Sequence, residues 1–358
     1  MNRHIRCFYV LAFFCIAQPI MVCAQIEIAT PAQGTVSGYD SLSTDNIAFK
    51  IQTLVGQTIC ILPLAKYQKN KGYQGFFTAP IKYNKFDNDS GFGMGFTMPV
   101  PKDRSLIYAV DNIHAVGSQP DSLEMKHFLV KEVISMPPGD GEHDFLAKND
   151  YYLRLSQPKH SDIYMYGGTI KGVYTVQGYV EKLKLKHLGK TFTARQNIYI
   201  NDFETGKPFL LRKGSIFTVK QVVISQRTPD VPASEFLLIQ DAAQHSVIID
   251  PNLSDWGNLF PNDADRNLFL PTEWRKDFKI SAENWNRVLN GEIWLGMTKY
   301  EVIAAVGLQS KRTLKNREEH FSESEWESAS HLKLSFDGDK LIEFYNNKPY
   351  EGAPKPFE

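Results

Sequence analysis

The sequence predicts a mainly β protein made of two related small β-modules, followed by a C-terminal α+β module of helix-helix-hairpin type. Three observations predict it. Short apolar runs rich in Val, Ile, Tyr and Phe recur from Asn46 onward between Gly, Pro, Asn and Asp, the pattern of strands and turns. Three sequence blocks occur twice in the same order, which is the mark of a repeat. After about residue 280 the pattern changes to caps, helical stripes and a hairpin. The chain has 358 residues, 42% hydrophobic and 22% charged, an ordinary globular composition with length for two or three domains. Its 40 basic and 40 acidic side chains cancel. That balance argues against generic nucleic-acid binding, which needs a positive field to displace phosphate counterions.

Residues 1–24 read as a secretory signal. Arg3 and Arg6 precede an apolar run from Cys7 to Ala17, and Val22-Cys23-Ala24 ends in a small-residue cleavage site. Gln18 and Pro19 break the run short of the roughly 20 apolar residues a spanning helix needs. Cys15 follows Phe14 and Cys23 follows Val22, so neither sits behind the small residue a lipid-acceptor cysteine requires. The expected mature protein is exported, periplasmic or extracellular, without a transmembrane segment. It keeps 38 basic and 40 acidic side chains, a net charge of −2, and one cysteine, Cys60. A single cysteine forms no internal disulfide, so packing must hold the fold. Within Thr58-Ile59-Cys60-Ile61-Leu62 it reads as a small buried hydrophobe rather than a nucleophile.

Residues 25–45, rich in Ser, Thr, Gly and Pro, form a flexible lead-in. Residues 46–160 are expected to form β-module 1 with an insertion, and 161–250 β-module 2. The repeat pairs Val55-Gly56-Gln57-Thr58-Ile59 with Leu188-Gly189-Lys190-Thr191-Phe192. It pairs Phe128–Ile134 with Phe217–Val223, and Tyr152–Leu155 with Phe236–Ile239. The first copy carries an insertion that includes the turn-rich Asp87–Phe96 loop, a hairpin tip or a ligand-facing lid. All five Trp follow residue 250, and 251–280 reads as an ordered linker.

The C-terminal module spans 281–346, with a tail at 347–358. Ser281 caps a helix through Trp285, Val288 and Leu289 that stops at Gly291. Thr298 and Glu301 form a capping box for a helix whose stripe is Val302, Ile303 and Val306, ended by Gly307. Leu332, Leu334 and Phe336 alternate along a strand, Asp337-Gly338 turns, and Leu341–Tyr345 returns. A further strand is expected near Lys311–Lys315. The helix stripe is expected to pack on the hairpin, and 282–346 to fold alone.

Ile293-Trp294-Leu295-Gly296-Met297-Thr298-Lys299-Tyr300-Glu301-Val302, Val306-Gly307 and Leu334-Ser335-Phe336-Asp337-Gly338-Asp339-Lys340-Leu341 resemble the SmpA/OmlA family. These are small outer-membrane-assembly lipoproteins whose fold is shared with proteinaceous β-lactamase inhibitors. The resemblance implies a compact α/β module that binds other proteins and carries no catalytic residues.

Catalytic motifs are sparse. Leu188-Gly189-Lys190-Thr191 contains Gly-Lys-Thr, but Lys184 stands where a P-loop needs its first Gly. Zinc-ligand spacings and a nucleophile elbow are absent from the sequence. Asp140, Glu142, His143 and Asp144 form an acidic turn without EF-hand spacing. Two binding surfaces stand out. Lys182, Lys184 and Lys186 alternate with leucines, which on a strand puts the lysines on one face. They would bind an anionic envelope polymer or simply blunt an edge. Trp256, Trp274 and Trp294 would stack on sugars, anchor a partner or pack between domains. The expected function is therefore that of an exported, non-catalytic envelope protein binding a protein or polymer partner, without a cofactor. The alternative is an envelope-polymer hydrolase whose site the sequence does not display.

Overall fold

The computed structural model describes residues 51–82, 85–86, 100–111, 114–135, 151–167, 172–254, 263–307, 321–327 and 332–346. All lie in the unit Val36–Glu358; the unit Met1–Thr35, the signal, the lead-in, the Asp87–Phe96 loop, the Asp140–Asp144 turn, Lys311–Lys315 and the tail lie outside the described residues.

The protein is β-rich, with antiparallel pairing throughout its described sheets. The first sheet holds β1 (Thr58–Ile61), β2 (Phe76–Phe77), β3 (His127–Ser135), β4 (Tyr151–Ser156), β5 (Ile163–Tyr166) and β6 (Tyr174–Val176), in the order β2-β5-β4-β3-β1-β6. One-turn helices α1 (Lys66–Lys69) and α2 (Pro120–Leu123) decorate its connections, and α3 (Gln177–His187) leads out of it. The second sheet holds β7 (Thr191–Ala194), β10 (Ile216–Ser225), β11 (Ser234–Gln240), β12 (Ser246–Ile249) and β13 (Phe269–Pro271), in the order β12-β11-β10-β7-β13. A separate hairpin, β8 (Ile198–Asn201) and β9 (Pro208–Leu211), branches from it.

Five strands of each sheet follow one plan. β5-β4-β3-β1-β6 corresponds to β12-β11-β10-β7-β13. Ile59 pairs with Phe128 as Phe192 pairs with Phe217. The amide of Gly56 donates to Val130 O at 2.8 Å, and that of Gly189 to Val219 O at 3.1 Å. Both glycines adopt positive φ, +83° and +79°, a turn geometry that favours Gly. The ladder is broken by a bulge between Val130 and Glu132, and again between Val219 and Gln221, so Lys131 and Lys220 occupy the same irregular position.

The strand assignments correct three expectations. β5 and β6 lie beyond residue 160, and β13 lies beyond 250, so the expected boundaries cut each sheet. The 251–280 stretch is not a linker: β13 pairs with β7 through Phe269↔Ala194 and Pro271↔Phe192. These outer strands are three or four residues long, too short to show a period. Pro271, which lacks an amide donor, sits on an edge strand where that loss is tolerated.

After the second sheet come α4 (Asp263–Leu268) and α5 (Trp274–Asp277), which flank β13, then α6 (Ala282–Leu289) and α7 (Lys299–Val306). A third sheet follows in the order β14 (Glu325–Glu327), β15 (Leu332–Asp337), β16 (Lys340–Asn346). Ser281 Oγ accepts from Asn284 N at 3.1 Å. Thr298 Oγ1 accepts from Glu301 N at 3.1 Å while Thr298 N donates to Glu301 Oε2 at 2.8 Å, a reciprocal capping box. Val302 and Ile303 share a buried cluster with Leu334, Phe336, Trp326, Leu270 and Trp274, with Val306 and Leu332 packed against it. Buried Lys299 donates to Phe321 O at 2.6 Å and Glu323 O at 2.9 Å, and its ammonium lies 5.2 Å from the centre of the Phe336 ring.

Two arginines tie α6 and α7 to the second sheet. Arg195, buried just after β7, donates to Leu289 O (3.3 Å), Val288 O (3.2 Å), Ala305 O (2.7 Å) and Arg266 O (3.2 Å). The carbonyls of Val288, Leu289 and Ala305 belong to the last turns of both helices, where the backbone leaves acceptors unmet and partial negative charge collects. Arg266 donates to Ile303 O. Burial lowers the Arg195 guanidinium to about 10, so it stays cationic at neutral pH. Gly307 permits the approach of Arg266: a Cβ there would lie 2.7 Å from Arg266 Nη1.

Candidate functional site

The expected basic strand is a helix. Lys182, Lys184 and Lys186 lie on α3, whose buried residues are Val180, Leu183 and His187. Successive residues turn by about 100°, so lysines two apart do not share a face. Lys182 and Lys186 are exposed, whereas Lys184 pairs with Glu181 at 2.8 Å. Leu185, assigned to the core by the alternating pattern, is 90% exposed. Lys190, of the Gly-Lys-Thr trio, pairs with Glu273 at 3.3 Å, and a strand rather than a helix follows it. Of the three tryptophans, Trp274 and Trp294 meet at one hydrophobic cluster, Trp274 within it and Trp294 packed against it. Trp256 lies outside the described residues, Trp274 is buried in the α6–α7 cluster, and Trp294 is half-buried. Cys60 is buried in β1, and burial, with the Glu235 carboxylate second, pushes its thiol up to about 12. That is the opposite of an activated nucleophile.

Trp294 marks the edge of a different surface. Its ring carries the Arg287 guanidinium at 4.1 Å, a cation–π pair. Arg287 Nε donates to Glu292 Oε2 at 3.1 Å and Asn290 Nδ2 to Glu292 Oε1 at 2.6 Å. These bonds, Asn290 first, hold the Glu292 carboxyl below its ordinary range. Beyond Trp294 the chain meets β16: Gly296 N donates to Leu341 O at 2.7 Å and Leu341 N to Met297 O at 2.8 Å. Leu295 and Ile342 flank those bonds, 61% and 56% exposed. Along β16 follow Phe344 and Tyr345, 38% and 53% exposed, and the Tyr345 hydroxyl donates to the Glu343 carboxylate.

Sequence reasoning recognised β16 but not its exposure. The signal is present in Leu341-Ile342-Glu343-Phe344-Tyr345: apolar residues occupy both faces of a strand that has only one core to serve. A bulge between Ser335 and Phe336 in the β15–β16 ladder sets Ile342 out of register. The geometry offers aromatic and aliphatic contacts rimmed by one cation and two carboxylates, the make-up of a contact surface.

No family model, curated protein or solved structure matches the chain.

Proposed function

We propose that the chain is an exported, non-catalytic cell-envelope protein that binds a protein partner through the surface formed by Trp294, Leu295, Ile342, Phe344 and Tyr345. The carrying observation is that Leu295, Ile342, Phe344 and Tyr345 stay exposed along and beside one edge strand, while Leu334, Phe336 and Leu341 of the same sheet are buried in its core. Scattered exposed apolar residues are ordinary, but neighbours on one element mark an interaction site. The same segment carries the resemblance to the SmpA/OmlA family, which supports reading 281–346 as a protein-binding α+β module. The shared strand order, register and bulge support reading the two larger sheets as copies of one β-module, which serve as a scaffold. No helix among the described residues is long and apolar enough to cross a membrane, which agrees with a chain that has no transmembrane segment after signal cleavage.

The test is chemical cross-linking of the full chain to envelope extract, followed by mass spectrometry. Leu295→Asp and Ile342→Asp should each remove the same specific cross-linked partner while leaving the thermal transition in place. A partner retained by both variants would place binding elsewhere.

A further inference from the structure

We infer that the partner is an extended peptide segment that adds, as a fourth strand, to the edge of β16 that meets no strand among the described residues; this rests on the partner-binding reading above. The third sheet treats its two edges differently. β14 is three residues long and opens on an exposed carboxylate at Glu325, the short, charged form that discourages further pairing. β16 is seven residues long. Its first residues are covered, because Gly296 and Met297 bond to Leu341 and Thr298 bridges to Lys340. From Ile342 to Asn346 the side of β16 away from β15 meets no strand among the described residues. Backbone donors and acceptors there supply affinity for an added strand, and the flanking side chains supply selectivity.

The length of the edge selects the occupant. Its uncovered stretch runs from Ile342 to Asn346, with Leu295, Ile342, Phe344 and Tyr345 exposed on and beside it. That length suits a strand of about five residues held chiefly by its backbone. Charge narrows the choice further. Glu343 and Tyr345 share the outer face of β16, with the Tyr345 hydroxyl committed to the Glu343 carboxylate. A cationic side chain opposite Glu343 forms a favourable cross-strand pair. An apolar residue beside it in the alternating pattern meets Phe344. The fitting ligand alternates apolar with cationic or hydroxyl side chains.

The probe is a seven-residue peptide alternating Val with Lys and Thr, blocked at both ends, added to the full chain and read by amide hydrogen exchange. Exchange at Ile342–Asn346 should slow about tenfold or more at saturation. The same peptide N-methylated at alternate residues should have no effect, and Glu343→Lys should weaken binding about tenfold. Absence of slowing, slowing elsewhere in the chain, or equal action of the N-methylated peptide would overturn strand addition, while the Leu295 and Ile342 cross-linking result would still stand or fall by itself. A concentration-dependent dimer in sedimentation, abolished by Glu343→Lys, would assign the edge to a second copy and also overturn it. Peptide protection at β16 together with cross-links that Leu295→Asp leaves intact would instead sink the broader reading.

Discussion

Arg195 joins the second sheet to the ends of two helices. Its planar fork reaches four carbonyls at once, a geometry that a lysine ammonium does not reproduce. Arg195→Met should strand buried acceptors at the ends of α6 and α7 and cost about 3–5 kcal/mol, because an unmet buried polar group costs about 1–3 kcal/mol and more than one is affected. Arg195→Lys should recover less than half of that loss; urea unfolding measures both. Cys60 gives a second residue-scale expectation. With its thiol near 12, alkylation of the native protein at pH 8 should proceed only as fast as the chain opens, and should accelerate in urea. Rapid labelling without denaturant would contradict its burial. Asp250 provides the pH test. Burial raises its carboxyl above the ordinary range, with Asp265 adding to the rise, although Asn252 N donates to Asp250 Oδ1 at 2.7 Å. A carboxyl raised on folding binds its proton more tightly in the native state, so ionising it costs stability as pH rises through its folded value. Asp250→Asn keeps an acceptor for Asn252 and should be more stable than the wild type at pH 7. That advantage should shrink as pH falls towards the unfolded carboxylate value of about 3.9.

At the scale of elements, packing and capping compete within α7 and its sheet. Phe336 is buried against Trp326, ring centres 4.6 Å apart, and beneath the Lys299 ammonium. Phe336→Ala should cost about 3–5 kcal/mol through the cavity it leaves. Thr298→Ala should cost about 1 kcal/mol through the lost cap. Equal losses in calorimetry would mean that the surrounding rings collapse to fill the space. How far each element could be read follows from its length. The α7 cap and stripe were legible because a reciprocal Thr–Glu pair and apolar residues at helical spacing fix both the start and the buried face. The paired blocks around Gly56 and Gly189 were legible because turn glycines and long alternating strands repeat together. α3 was not, because Lys-Leu-Lys-Leu-Lys satisfies a period of two by composition alone. Its burial of Val180, Leu183 and His187 is decided by the neighbouring strands, and its Lys, Leu and Glu content was the helical signal available. Of the candidate surface, Trp294 was read as a contact residue. Leu295 and Ile342 were not, since exposure depends on which edge remains uncovered.

For the whole molecule, the second sheet and the C-terminal elements share a core. Leu270 and Trp274 belong to the same cluster as Val302 and Phe336, and the helix ends depend on Arg195 and Arg266. A 282–346 fragment lacks all four partners and should remain largely unfolded by circular dichroism. A 177–346 fragment should show a cooperative transition. Cooperative folding of 282–346 by itself would mean that these contacts are dispensable.

The position of Arg195 in the chain also sets a timetable. Its acceptors lie in Arg266, Val288, Leu289 and Ala305, all far downstream of the strand it follows. A growing polypeptide therefore presents β7 and its guanidinium well before the helix ends that receive it have been made. Until Ala305 emerges, closing that corner would bury the cation with its set of acceptors incomplete. β13 arrives late for the same sheet, since Phe269–Pro271 pairs back onto β7. Maturation of the second half is thus deferred towards the end of synthesis, and truncation before residue 305 should release a chain that proteases recognise as unfinished.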